Sequence, residues 1–224
     1  GLGDVYKRQG LTLSMSGMFF YGHDLGGFSG DMPSSELLLR WIQHGIFEPR
    51  FTIHSWNKDG TATMPWSYPE IENAVCDIFS QRKQLLPYLY SSAYNCVSYD
   101  EPMNAPLFLY YEDEDIEEDC ESFLVGRDVL ATCVLDEGIE NITAYLPEGD
   151  DWYLGSKYYE GGQNVSLHIP PTSKMPYFVR SGCVFPTDEG EYGFNSEQKL
   201  VFTVYPLKSV SYTHLRAHET PEHL

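Results

Sequence analysis

The chain is short of positive charge. Its 224 residues carry 14 lysines and arginines against 33 aspartates and glutamates, a formal net charge of −19. Nucleic acid and anionic membrane surfaces are held by cationic faces, so neither is expected as a partner. No apolar run approaches the roughly 18–20 residues of a membrane-spanning helix, which leaves no membrane role in view. Cysteine is sparse and scattered. Cys76, Cys96, Cys120, Cys133 and Cys183 are odd in number and form no Cys-x-x-Cys pair. That pattern suggests neither a zinc knuckle nor a disulfide framework, and reduced thiols are the expectation. Internal repeats and low-complexity tracts are missing too.

Aromatic residues are plentiful, at 15% of the chain, with 17 tyrosines and 12 phenylalanines. They suit packing in β-structure and also suit stacking against sugar rings. Two stretches concentrate the polar chemistry. Met-Phe-Phe-Tyr-Gly-His-Asp-Leu-Gly-Gly-Phe-Ser-Gly (18–30) is an apolar run that ends in His23, Asp24 and Phe28. Pro-Arg-Phe-Thr-Ile-His-Ser-Trp-Asn (49–57) repeats the design with Arg50, His54 and Trp56. Read alone, Asp24 could cap a turn, His54 could be a satisfied core histidine, and His23 reads as packing or support.

Between the two stretches, Pro33-Ser34-Ser35-Glu36 predicts a helix start with hydroxyls available for capping. Leu37, Leu38, Trp41 and Ile42 then predict one buried face, and Gly45 a stop. Strand, polar loop, helix, strand, polar loop is the unit of a parallel α/β barrel, with Met18–Gly22 and Phe51–Ile53 as its strands. Ser67-Tyr-Pro-Glu70 has capping-box spacing and predicts a long helix to about Tyr94, kinked at Pro87. Beyond Asp100 the hydrophobic period falls to two. Short strands are predicted at 106–111, 123–125, 129–135, 141–146, 152–154, 165–169, 177–180 and 201–205, a pattern that reads as an antiparallel sandwich. The boundary is placed near Ser98–Asn104.

Other signals receive plainer readings. The acidic run Glu112–Glu121 alternates carboxylates but lacks the glycine and glutamate of a calcium loop, so a solvated turn is expected. Asn141-Ile-Thr143 and Asn164-Val-Ser166 fit the N-glycosylation pattern. His214-x-x-x-His218 has the spacing of two metal ligands on a helix. Its surroundings, 209–224, change character abruptly, and Gly1–Gln9 shows no periodicity. Both ends (1–10 and 209–224) resemble translated sequencing adapters and are set outside the fold.

Gly22-His-Asp-Leu-Gly-Gly-Phe28, Glu36-Leu-Leu-Leu-Arg-Trp-Ile-Gln43, Gly45-Ile-Phe-Glu-Pro49, Arg50–His54 and Leu85-Leu-Pro-Tyr-Leu-Tyr90 resemble glycoside hydrolase family 31, the α-glucosidase and α-xylosidase family. Phe123–Val134, Tyr145–Gly149, Trp152-Tyr153 and Pro176–Gly182 continue the resemblance in order. It implies α/β plus all-β architecture. Residues 11–100 would be the C-terminal end of a (β/α)8 TIM barrel, 101–187 an antiparallel β-sandwich, and 188–208 the start of a further β-domain. It also implies retaining hydrolysis of terminal α-linked glucose or a related sugar, on an oligosaccharide or α-glucoside substrate, without cofactor or metal. The nucleophile and acid/base aspartates would lie on earlier barrel strands, upstream of Gly22, so no catalytic residue is assigned here and the fragment alone is expected to be inactive. Asp24, Phe28 and His54 would bind substrate at the −1 sugar pocket, with Arg50 and Trp56 as scaffold or rim. The alternative is a non-catalytic carbohydrate-binding or interaction module built on the sandwich.

Overall fold

The computed structural model describes residues 2–116, 121–191 and 197–208, with backbone alone for 2–4. Helix α1 spans Leu2–Met15. It takes in residues 2–10, which the sequence reading sets outside the fold. Tyr6 on this helix packs its ring 5.1 Å from Trp41 and 5.4 Å from His23. Helix α2 spans Ser35–Gly45, and the Ser34 hydroxyl accepts the Leu37 N–H at 3.2 Å, as the capping pattern predicts. Its buried face includes Leu38, Leu39, Trp41 and Ile42, whereas Leu37 is exposed.

Gly45 ends α2 for a reason other than a left-handed backbone. The next residue, Ile46, stays right-handed at φ −59°. A Cβ at Gly45 would strike the Leu25 side chain, so glycine is needed there to seat the helix end on the Asp24–Leu25 loop. Ser67 caps nothing downstream; its hydroxyl accepts the Met64 N–H. A 3-10 turn at Pro69–Ile71 leads instead into α3, Glu72–Tyr99, which runs through Pro87 and closes at Asp100 with φ 55°.

Neither predicted barrel strand is regular. Residues 18–22 form no strand, and Met18 and Phe20 are exposed. A parallel strand needs partners along its edges; here the neighbour is the 50–58 segment, joined by the Asp24–Thr52 bridge and the pairing of β1 (Ser29–Gly30) with β2 (Trp56–Asn57). The direction is parallel, as the barrel unit requires.

The second half is antiparallel. β3 (Asn104–Pro106), β4 (Phe123–Val125), β5 (Val129–Ala131), β7 (Trp152–Leu154), β8 (Lys157–Tyr159) and β10 (Tyr177–Arg180) form a six-stranded sheet in the order β3-β4-β5-β10-β7-β8. β6 (Asn141–Leu146) pairs with β9 (Gln163–His168), and β11 (Val184–Asp188) with β12 (Leu200–Val204). The strand predicted at 106–111 stops at Pro106, which carries no N–H, and a 3-10 turn follows at Leu107–Leu109. β8 and β11 went unpredicted. β11 contains Pro186, which is tolerated because, among the described residues, β11 pairs only with β12. Among the described residues, Cys76, Cys96, Cys133 and Cys183 are free thiols.

The helices and sheets share one core. Phe47 and Ile78 belong to the same buried cluster as Phe123, Trp152 and Phe178. Polar side chains sew the seam. Arg40 donates to the carbonyls of Ile169 (2.9 Å) and Ile139 (2.6 Å), and Gln81 exchanges two bonds with the Met175 backbone at 2.6 and 3.0 Å. Tyr88 donates to Val125 O at 2.6 Å while its oxygen accepts the Asp128 N–H. Most of these bonds satisfy backbone groups that would otherwise be buried without partners.

A further tie joins α3 to the β11–β12 hairpin. Asp188 accepts the N–H groups of Gly190 (2.9 Å) and Lys199 (3.0 Å), and its second oxygen lies 3.2 Å from Lys83 Nζ. These backbone bonds, helped by Lys83, hold its carboxyl below the usual carboxylate range. A depressed folded pKa adds stability above the unfolded value of about 3.9 and loses it as pH falls through the folded one. Asp188→Asn should therefore be less stable than the parent at pH 7 in urea unfolding, with the gap narrowing below about pH 4.

Candidate functional site

Two segments lie side by side. Arg50 donates its N–H to Tyr21 O at 3.1 Å, Leu25 N–H donates to Thr52 O at 3.0 Å, and Trp56 N–H donates to Phe28 O at 2.6 Å. Their approach is close at the entry: a Cβ at Gly22 would overlap the Arg50 carbonyl oxygen and Cβ. Parallel alignment then delivers Asp24, Phe28, Arg50 and His54 to one surface.

Asp24 is the hub of that surface. Arg50 Nη2 donates to Asp24 Oδ1 at 2.8 Å, and Arg50 Nη1 reaches Gly22 O at 3.4 Å. His54 Nδ1 lies 3.9 Å from the same carboxylate oxygen. The Phe28 ring stands edge-on to His54, with centroids 5.2 Å apart and planes at 64°. The Asp24, Arg50 and His54 side chains are 26%, 44% and 62% exposed. At such exposure an ion pair contributes only about 0–1 kcal/mol, so Arg50 serves to aim Asp24 more than to stabilise the fold. Trp56 sits at the edge with its ring out in solvent. Of the five residues singled out from the sequence, Asp24, Arg50, His54 and Phe28 thus form one contact chain, and Trp56 joins it through its backbone alone. The surface offers a carboxylate acceptor, an imidazole able to donate and accept, a guanidinium, and apolar ring faces, the mixture suited to a polyol.

Behind it lies a group that the sequence reading passed over. The Glu48 side chain is 1% exposed. Its Oε2 accepts the backbone N–H of His23 at 3.1 Å, and Oε1 lies 2.5 Å from His23 Nδ1 and 3.2 Å from His44 Nε2. His44 Nδ1 in turn lies 3.0 Å from Cys133 Sγ. Burial alone would raise the Glu48 carboxyl; hydrogen bonds from His23 and His44 outweigh it and hold the group down to about 2. Burial would lower His44, but Cys133 and Glu48 push it up to about 10. Arg82 closes the bend, donating to the carbonyls of Ile46 (2.6 Å), Glu48 (2.7 Å) and Pro49 (3.2 Å). One signal was available in the sequence: His44 and Glu48 stand four apart at a helix end. The carboxylates of 112–121 behave as a turn where they are described, Asp113 accepting from Tyr145 and the Glu148 N–H. Residues 117–120 and the His214–His218 pair lie outside the described residues.

Parallel segments flanking a helix, joined to antiparallel sheets through a shared core, are the arrangement expected at the closing end of an α/β barrel with an appended β-domain. The comparisons agree. The Glycosyl hydrolases family 31 TIM-barrel domain matches residues 5–92, and the Glycosyl hydrolase family 31 C-terminal domain matches 100–185. The chain belongs to glycoside hydrolase family 31. Neutral alpha-glucosidase C of Mus musculus is 37% identical over 182 residues, which cover 79% of this chain and 20% of the relative. A probable glucan 1,3-alpha-glucosidase of Oryza sativa subsp. japonica is 34% identical over 79% of this chain and 19% of its own length. The chain thus spans about a fifth of the length of these relatives. Among solved structures, a Flavobacterium johnsoniae dextranase complexed with glucose matches with TM-score 0.78 and 28% identity, over 88% of this chain and 25% of that one. The cycloalternan-forming enzyme of Listeria monocytogenes in complex with a pentasaccharide substrate matches with TM-score 0.83 and 26% identity, over 91% and 21%.

The tight entry at Gly22 gives a direct test. Gly22→Ala should push the two loops apart and cost about 1–3 kcal/mol in chemical unfolding, the usual penalty for overpacking. A conservative exposed change such as Lys58→Arg should leave the midpoint unmoved.

Proposed function

We propose that this chain is the pocket-wall segment of a longer retaining α-glycosidase that removes terminal α-linked glucose or a close relative from oligosaccharides. The observation that carries the reading is the convergence of Asp24, Arg50, His54 and Phe28 where two parallel segments end, in a chain of this family. Asp24 accepts hydrogen bonds from sugar hydroxyls, and Arg50 keeps it aimed. His54 donates to one hydroxyl and accepts from another, its ring plane set by Phe28, which also offers an apolar face to the sugar's C–H surface. Trp56 forms the rim. The residues from about 100 onward support this wall from behind, as a β-sandwich in our reading, and the terminal stretch 209–224 is non-native.

Retention requires two carboxyls about 5–5.5 Å apart, one attacking the anomeric carbon and one handling the leaving-group proton. We assign neither role to any carboxylate of this chain; both belong to barrel strands preceding Gly22. The segment binds and orients the sugar, and the reaction needs no metal or organic cofactor. The purified 224-residue chain should not turn over p-nitrophenyl α-glucoside. In the longer enzyme, His54→Ala should lower kcat/KM by about 10–100-fold, equivalent to one or two hydrogen bonds lost at the transition state, with an unchanged circular dichroism spectrum. Intact kcat/KM would remove His54 from the pocket.

A further inference from the structure

His23, His44 and Glu48 come from three separate places in the chain: the loop bearing Asp24, the last turn of α2, and the bend before Arg50. Their ligand-type atoms, His23 Nδ1, His44 Nε2 and a Glu48 oxygen, all lie within 4.8 Å of one another. Both imidazoles turn a ring nitrogen to the same carboxylate oxygen, Oε1, at 2.5 and 3.2 Å. The rest of each ring is held. The far nitrogen of His44 faces Cys133 Sγ at 3.0 Å, and the His23 ring is packed by Tyr6, Tyr21 and Trp41 with centroids 5.4, 5.9 and 6.0 Å away. A histidine whose second nitrogen is fixed by a partner is a pre-oriented ligand.

We propose that His23 Nδ1, His44 Nε2 and the Glu48 carboxylate form a binding site for one divalent ion of the zinc class, with Cys133 positioning His44 from behind. Two imidazoles and one carboxylate make a borderline donor set that suits zinc, cobalt or nickel. Calcium and magnesium, which take six or more oxygens, are ill served by it. Bonds of about 2.0–2.1 Å in a tetrahedral site put neighbouring donors roughly 3.3–3.5 Å apart. Reaching that spacing requires the Glu48 oxygen to draw back from His23 and the two imidazole nitrogens, now within 4.8 Å of each other, to close on the ion that replaces the shared protons. The two histidine side chains keep 11% and 13% exposure against 1% for Glu48, so an ion would enter from the histidine side. A bound ion would pin the Asp24 loop, the end of α2 and the bend before Arg50 together. The role is structural, and the site stands whether or not the proposed sugar pocket does.

The test uses the full chain with His214, His218 and His223 changed to alanine, so that the terminal imidazoles cannot contribute. After stripping with a chelator, it is titrated with zinc chloride by calorimetry, with zinc content measured after gel filtration. One equivalent per chain should bind. Glu48→Gln should weaken binding by more than about tenfold, since even outer-shell changes commonly cost that much. If that variant fails to fold, His23→Gln, at a ligand less buried than Glu48, gives the same comparison. No saturable binding, or binding unchanged in the folded variant, overturns the site.

Discussion

The structure depends on one carboxylate removed from water. Glu48 sits with its side chain 1% exposed, and a lone buried charge of that kind is untenable without partners. His23 and His44 supply them, and Arg82 takes up the carbonyls on either side of it. Because those partners come from different elements, satisfying Glu48 fixes where the elements meet. The loop that follows His23 carries Asp24, and the bend that follows Glu48 carries Arg50. The Arg50–Asp24 contact on the surface is thus set from underneath, by a network that no substrate needs to touch.

That arrangement separates rigidity from chemistry. The buried layer is dense, paired and slow to yield. The surface layer of Asp24, Arg50, His54, Phe28 and Trp56 is in contact with solvent, and in the proposed reading it exchanges that water for sugar hydroxyls. A binding wall built on a rigid under-layer loses little entropy when ligand arrives. The β half contributes from further back. Arg40, Gln81 and Tyr88 tie the middles of α2 and α3 to the β half through backbone carbonyls, which anchors the helices that frame the wall.

How much of this was legible in the residues divides along physical lines. The cap at Ser34, helix α2 and the strands at 123–125, 141–146, 152–154 and 177–180 follow from local chemistry and could be read directly. The barrel strands could be placed but not their regularity, because a parallel strand is completed by neighbours distant in sequence. Ser67 carries the spacing of a capping box and bonds elsewhere, since its hydroxyl reaches Met64 first. Gly45 looks like a helix stop, yet what it answers is the Leu25 side chain, a tertiary fact. Asp24 and His54 were visible because the family motif marks them. Glu48 was not, because a glutamate before a proline reads as surface until two distant histidines are seen to enclose it. β11 hid behind Pro186 for the same reason, its single-partner edge being a property of the sheet and not of the strand.

The most direct measurement is a crystal structure of the longer enzyme with glucose bound in its deepest sugar site. The account predicts sugar hydroxyls within about 3 Å of the Asp24 carboxylate and of a His54 ring nitrogen, the hydrogen-bonding range, with Phe28 against the ring. Glucose seated instead on the aromatic residues of the β half, with Asp24 and His54 facing bulk water, would contradict it and make this chain a carbohydrate-binding module.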